Sequence, residues 1–258
     1  MKTNMFNTIK RGIAVSALLL APAVAFSADV VLHLDKAPIS TEQADLQNGA
    51  RIFVNYCLNC HSASYMRYNK LMDIGLDEKQ ILEEFLPSED SKIGDLMTVA
   101  MDRKDAKSWF GVAPPDLTLT TRARSTPFGS GADWIYTYLR QFYRDPARPT
   151  GWNNVLFENV AMPHVLWDLQ GIQEGIVTVE KDADGNEVKN IALNLAKPGA
   201  RSVDEYNKDV ADLVSFMTWM AEPGAAQRKT IGIYVLVFLA LFFVVSYLLK
   251  KNYWKDVH

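Results

Sequence analysis

Cysteine is scarce: the chain of 258 residues holds two, Cys57 and Cys60. Two thiols make one bridge at most, which excludes a disulfide framework. A structural zinc site takes four ligands, and no second cluster of ligands accompanies this pair. A bridge between positions three apart would close a tiny loop and stabilise little. The alternating strand and helix pattern around a thioredoxin-like dithiol is missing as well. Internal repeats and long low-complexity segments are absent, so a repeat architecture is excluded. Residues 29–227 also lack an excess of basic charge, with 19 Lys plus Arg against 29 Asp plus Glu, a net of −10, although the whole chain stands at −3. That balance argues against a nucleic-acid partner and favours a basic one. No pattern of residues points to acid–base catalysis.

Long charge-free apolar runs occur in only two places. Residues 1–28 read as a secretory signal: Lys2, Lys10 and Arg11 precede an apolar stretch from Ile13 to Phe26, and Ala25 and Ser27 suit cleavage. That stretch is short for a bilayer and Pro22 interrupts it. Ile231 to Leu249 differs, with 19 residues and no charge. As a helix it spans about 28 Å, close to the thickness of a bilayer core. Arg228 and Lys229 flank one end, Lys250, Lys251 and Lys255 the other, and Tyr234, Tyr247, Tyr253 and Trp254 lie near the ends, as interfacial anchors do. The expected organisation is a signal over 1–28, an exported domain over 29–227, a transmembrane anchor over 228–250 and a cytoplasmic tail over 251–258. This is a single pass of the cytoplasmic membrane with the domain in the periplasm.

Within the domain, apolar spacing predicts a helix over 42–56, with Thr41 as a candidate cap, running straight into Cys57. A short amphipathic helix is expected over 77–86 and another over 91–102. Pro114-Pro115 makes 111–127 a loop. A helix follows over 133–143, with Trp134, Ile135, Tyr138, Leu139 and Phe142 on one face, and then a Pro- and Gly-rich loop over 145–154. Alternation over 175–180 and 187–193, with Asp184-Gly185-Asn186 between, predicts a β-hairpin. A last helix is expected over 203–221, broken by Pro223-Gly224.

Residues 57–61 read Cys-Leu-Asn-Cys-His. C-x-x-C-H is the attachment signature of c-type haem. Two thiols three positions apart on a helical turn reach the two vinyl groups of one porphyrin, and His61 is carried under the iron as proximal ligand. The expectation is one haem c, covalently attached. Candidates for the opposite axial ligand are Met66, Met72, Met97, Met101, Met162, His33 and His164. Pro163 stops regular structure beside Met162 and leaves its thioether presentable from a loop. A Met/His pair raises the potential and leaves no open position, which suits electron transfer.

These features together resemble cytochrome c1, the haem subunit of the ubiquinol–cytochrome c reductase (cytochrome bc1) complex. Four blocks carry the resemblance. Asn48-Gly49-Ala50-Arg51 through Tyr56 to Ser62, then Tyr65, Arg67 and Tyr68, is similar to that family's attachment region. Ala113-Pro114-Pro115-Asp116-Leu117, then Arg122-Ala123-Arg124 and Ala132-Asp133-Trp134, is similar to its pocket loop. Ala161-Met162-Pro163 falls where the family places its axial Met. Trp219-Met220-Ala221-Glu222-Pro223, then Arg228-Lys229 and one membrane helix, resembles its C-terminal end. The resemblance implies Met162 as axial ligand and Arg124, with Arg122 as rival, on a haem propionate. It places Pro114 and Pro115 against the porphyrin edge. Trp134 stands where the family usually has a Tyr near the propionates.

The fold so implied is mainly α, a c-type cytochrome core with loop insertions and a small β-hairpin, plus one C-terminal transmembrane helix. The implied role is one-electron relay from a Rieske iron–sulfur protein to a soluble or membrane-bound c-type cytochrome, beside cytochrome b. That role implies an electron-transfer subunit of an oxidoreductase complex, with no independent active site expected in this chain. A haem subunit of a terminal oxidase or nitric oxide reductase is the runner-up, and a haem-free thiol or assembly protein the third class. Asp77, Glu78, Glu83, Glu84, Glu89, Asp90 and Asp95, with only Lys79 and Lys92 among them, read either as a solvated face or as a docking surface for a basic cytochrome c.

Overall fold

The computed structural model describes residues 33–181 and 187–256. The expected signal over 1–28 and the Asp184-Gly185-Asn186 turn lie outside the described residues.

The chain enters α1 (Gln43–Ile52), which continues without a break into a π-helical turn, Phe53–Cys57. Thr41 is not the cap; Glu42 takes that position and makes no side-chain bond to the helix. The strand β1 (Ala63–Arg67) and a 3₁₀ segment, Tyr68–Ile74, come next, followed by α2 (Glu78–Glu84), which a capping box between Asp77 and Gln80 starts. The helix expected over 91–102 does not form. Residues Leu96–Met97 make a short strand, β2, antiparallel to β1, and the helix there, α3 (Arg103–Phe110), begins later with Asp102 as its cap. The four-residue spacing of Met97 and Met101 reads as helical, but pairing with β1 overrides it, and Met97 is sealed in the core.

The Pro114-Pro115 loop leads into a single-turn helix, α4 (Thr120–Ala123), and then α5 (Gly131–Arg140). Ser130 and Asp133 form a capping box at its start. Asp133 also accepts the Ala37 N–H at 2.8 Å, so one buried carboxylate caps a helix and ties down the N-terminal segment. Burial pushes that carboxyl up, but the bonds from Ala37 and Ser130 outweigh it and hold the group below its ordinary range.

The hairpin is longer than expected. Strands β3 (Phe142–Arg144) and β4 (Trp152–Asn154) pair antiparallel, β5 (Gly171–Lys181) joins β3 in parallel, and β6 (Glu187–Pro198) pairs along the length of β5, giving one sheet in the order β4-β3-β5-β6. A one-turn helix, α6 (Trp167–Gln170), precedes β5.

The core sits between α1, α5 and α7 (Val203–Ala221), where Leu46, Ala50, Phe53, Ile135, Leu139, Leu213, Val214 and Phe216 are buried. Fully burying each large member of this set contributes roughly 1.5–3 kcal/mol. The crossing of α1 and α7 is close because Gly49 has no side chain: a Cβ there would fall 2.0 Å from the Asp212 carbonyl oxygen. Around the crossing, Asn48 donates to Asp212 at 2.8 Å and Lys208 bonds both Asp45 and Asp212. Pro223-Gly224 separates α7 from α8 (Ala225–Tyr253), and residues Gln227–Tyr253 are long and apolar enough to cross a membrane. The large apolar side chains from Ile231 to Leu249 are exposed, so this is not a buried core helix.

Candidate functional site

Two strings of contacts build the site. The first begins where α1 loosens. The Leu58 N–H reaches back five residues to the Phe53 carbonyl, and the Cys57 carbonyl then accepts from both Cys60 and His61 at 3.2 and 2.9 Å. Such π-helical turns recur at functional positions. Cys57 and Cys60 therefore stand on one tight turn, and both thiols are free. Cys57 is buried, which pushes its thiol up to about 12 and keeps it protonated.

His61 points Nδ1 at the Pro115 carbonyl oxygen, 2.8 Å away. A carbonyl brings no proton, so Nδ1 carries it. The neutral ring therefore keeps its lone pair on Nε2, the form a metal ligand requires. Burial pushes the imidazole below its ordinary range, against the Pro115 bond, and so favours the neutral ring. The loop that supplies this carbonyl is laced to the residues after His61. Leu117 N–H donates to the Ser62 carbonyl, and the Asp116 carboxylate accepts from Ser64 at 2.7 Å and from Thr118 at 2.9 Å. Pro115 is exposed and Pro114 half-buried.

The second string runs along α5. Arg124, just past α4, lies with its guanidinium 4.5 Å over the Trp134 ring. Trp134 stacks on Tyr138 at 4.9 Å and 17°, and the Tyr138 hydroxyl donates to the Met162 sulfur at 3.5 Å. Burial raises the phenol above its ordinary range, with Arg124 opposing, so it stays a donor. Arg122, the rival for the propionate, is engaged elsewhere. It donates to Glu222 at 2.9 Å, and the other oxygen of that carboxylate holds Arg228 at the start of the anchor. Among the described residues no carboxylate pairs with Arg124.

Met162 is half-buried against Phe142, Trp152 and Val160. Its loop hangs from two buried asparagines: Asn154 accepts from Leu156 and Phe157, and Asn153 from Asn159. The other candidate ligands are differently placed. Met66 and Met97 are in the main core, and Met72 is exposed on the 3₁₀ segment. Met101 is half-buried just before α3, and His33 is exposed beside Asp35. His164 is buried with its ring stacked on Phe142 at 4.9 Å, and burial pushes its imidazole down to about 4.

These residues fit a c-type haem. Two free thiols, a neutral imidazole with Nε2 available and a half-buried thioether make the donor set. Trp109, Phe110, Val112 and Leu119 are large apolar side chains left exposed on either side of Pro114-Pro115, and Phe157 is exposed edge-on to Trp134. A flat apolar group would cover such surface. Sequence reasoning placed Tyr138 on a helix face and gave Asn153 and Asn154 no role. The signal for Tyr138 is the four-residue spacing of Trp134, Tyr138 and Phe142, which a plain core stripe shares.

A family model described as the Cytochrome C1 family matches residues 35–257. A protein of Allochromatium vinosum named cytochrome c1 is 48% identical over 97% of this chain and 100% of its own length. A protein of Nitrosomonas europaea named ammonia monooxygenase gamma subunit is also 48% identical, over 94% of this chain and 96% of its own. A cytochrome c1 of Rhodospirillum rubrum is 26% identical over 84% of this chain and 83% of its own length.

Proposed function

From the premise that this chain belongs to the cytochrome c1 family, we propose that Cys57 and Cys60 bind one haem c through two thioether bonds, with His61 and Met162 as its axial ligands. The family carries a c-type haem, and the chain is the cytochrome c1 electron carrier of a bc1 complex, alongside cytochrome b and a Rieske protein. It is membrane-anchored through α8. The haem domain stands in the periplasm and the tail after α8 in the cytoplasm, a reading supported by the basic residues after the span.

One observation carries the site reading: the His61–Pro115 bond fixes the tautomer and aims one ring nitrogen away from the loop, beside two free thiols on the same turn. The haem supplies reversible one-electron chemistry. The chain orients it. Pro115 holds His61, the Pro114-Pro115 loop would lie against the porphyrin edge, and the guanidinium of Arg124, unpaired with any described carboxylate, could take a propionate bidentately. Arg122, tied to Glu222, braces the loop against the anchor instead.

The purified mature chain is expected to weigh one haem more than its amino acids and to give a pyridine haemochrome spectrum. Neither thiol should alkylate. A mass equal to the polypeptide alone, with both thiols reactive, sinks the assignment.

Electrons leave to a c-type cytochrome. All seven acids of the 77–95 stretch are exposed, and Arg51 and Lys79 offset only Glu84 and Glu83. Encounter with a basic cytochrome c is therefore expected to slow severalfold from low to physiological salt in stopped-flow oxidation. A rate indifferent to ionic strength removes this docking surface. The Nitrosomonas relative's name raises a second reading, membership of a monooxygenase assembly. The match of the family model over nearly the whole chain favours the first.

A further inference from the structure

The hydroxyl of Tyr138 reaches Met162 from a ring with little freedom. Trp134 stacks on one side of it, and Phe142 meets it edge-on at 5.0 Å and 69°. Trp134 and Tyr138 stand four residues apart on α5, which sets their stack, and Phe142 reaches the ring from the start of β3. Asn154 donates to the Tyr138 carbonyl at 2.8 Å, locking the backbone as well. On the other side, Asn153 and Asn154 hold the loop of Met162, and Val160 packs against Phe142 and Trp152. The mobile piece between these fixed parts is the Met162 side chain, unbranched and with three rotatable bonds. A thioether sulfur carries no hydrogen of its own, so the 3.5 Å contact is the phenol donating to sulfur.

We propose that Tyr138 is a positioning residue for Met162: its hydroxyl occupies one sulfur lone pair, selects the side-chain rotamer and leaves the second lone pair for the metal. The inference rests on the reading of Met162 as axial ligand. It has an electronic consequence too. A sulfur that accepts a hydrogen bond donates less to iron, and ferric iron depends on that donation more than ferrous iron does. The Tyr138 bond therefore favours the ferrous state and raises the potential.

The test is Tyr138→Phe in the full chain, in native membranes with its complex. Haem content is expected to stay at the parental level. The ferrous-to-ferric equilibrium should shift threefold to tenfold toward ferric, about 30–60 mV lower at 59 mV per tenfold. The far-red sulfur-to-iron charge-transfer band of the ferric form should move or weaken. A ring-fluorinated tyrosine at the same position is a stronger donor and should shift the potential the opposite way, without removing any atom of the packing. A potential and a band unchanged in both variants overturn the proposal, since a tyrosine that only packs would alter stability alone. Met162→Leu separates the two readings. Loss of the band there upholds the ligand while Tyr138 is judged independently; retention of the band overturns the ligand assignment and this proposal with it.

Discussion

Replacing Met162 by alanine is expected to lower the haem potential by roughly 200 mV or more, within the about 0.8 V that axial ligands command. The thioether is a neutral, soft ligand that stabilises ferrous iron, and a Met/His pair leaves no position open. Alanine removes the sulfur without filling its place. The ferrous variant should then bind carbon monoxide and the parent should not, and a redox titration with a carbon monoxide difference spectrum reads both effects. The fold supplies its own controls. Met66 and Met97 are sealed in the main core, so their alanine variants should lose about 2–5 kcal/mol of stability to the cavity and keep the parental potential. A Met162→Ala protein with an unchanged potential and no carbon monoxide adduct would mean that another of the candidate side chains holds the iron.

The second large effect is expected where α1 crosses α7. Gly49→Ala puts a methyl carbon 2.0 Å from the Asp212 carbonyl oxygen and 2.8 Å from the Phe216 Cβ. Neither can swing aside, since one is backbone within α7 and the other is the root of a buried ring. The helices must part, and overpacking of this kind costs about 1–3 kcal/mol, more where backbone is the obstacle. Parting α1 from α7 also breaks the Phe53–Phe216 contact at 5.5 Å and shifts the turn that carries Cys57. The expected outcome is a destabilisation of about 3 kcal/mol and a steep fall in haem-loaded chain, read by haem staining and thermal midpoint. Gly94→Ala, where an added Cβ meets nothing within 4 Å, should leave both at the parental level. Equal behaviour of the two variants would refute the close-crossing argument.

Some of this was legible because its causes are local. The helices expected over 77–86 and 203–221 form close to those bounds, and the two cysteines and His61 lie within one turn, whereas the capping boxes at Asp77, Ser130 and Ser202, though each joins residues three apart, went unread. The membrane helix is a matter of length and composition. Strand β2 was misread because its partner lies some thirty positions upstream, beyond any helical period. The glycine at 49 gave no hint of the carbonyl it would meet on α7. Arg122 and Arg124 are two residues apart and alike in type, so only their partners, Glu222 and Trp134, tell them apart.

The sequence by itself determined the covalent and the topological: which thiols are available, which histidine follows them, and where the chain turns hydrophobic enough for a membrane. The first two depend on residue type and a spacing of four or fewer, and the last on the length and composition of one unbroken run. The tertiary structure alone decided which carbonyl orients His61, 54 positions away, and which phenol meets Met162, 24 positions away. Such bonds form only after loops and helices from separate parts of the chain have packed. A hydrogen bond depends on distance and direction in space, and neither is encoded in separation along the chain.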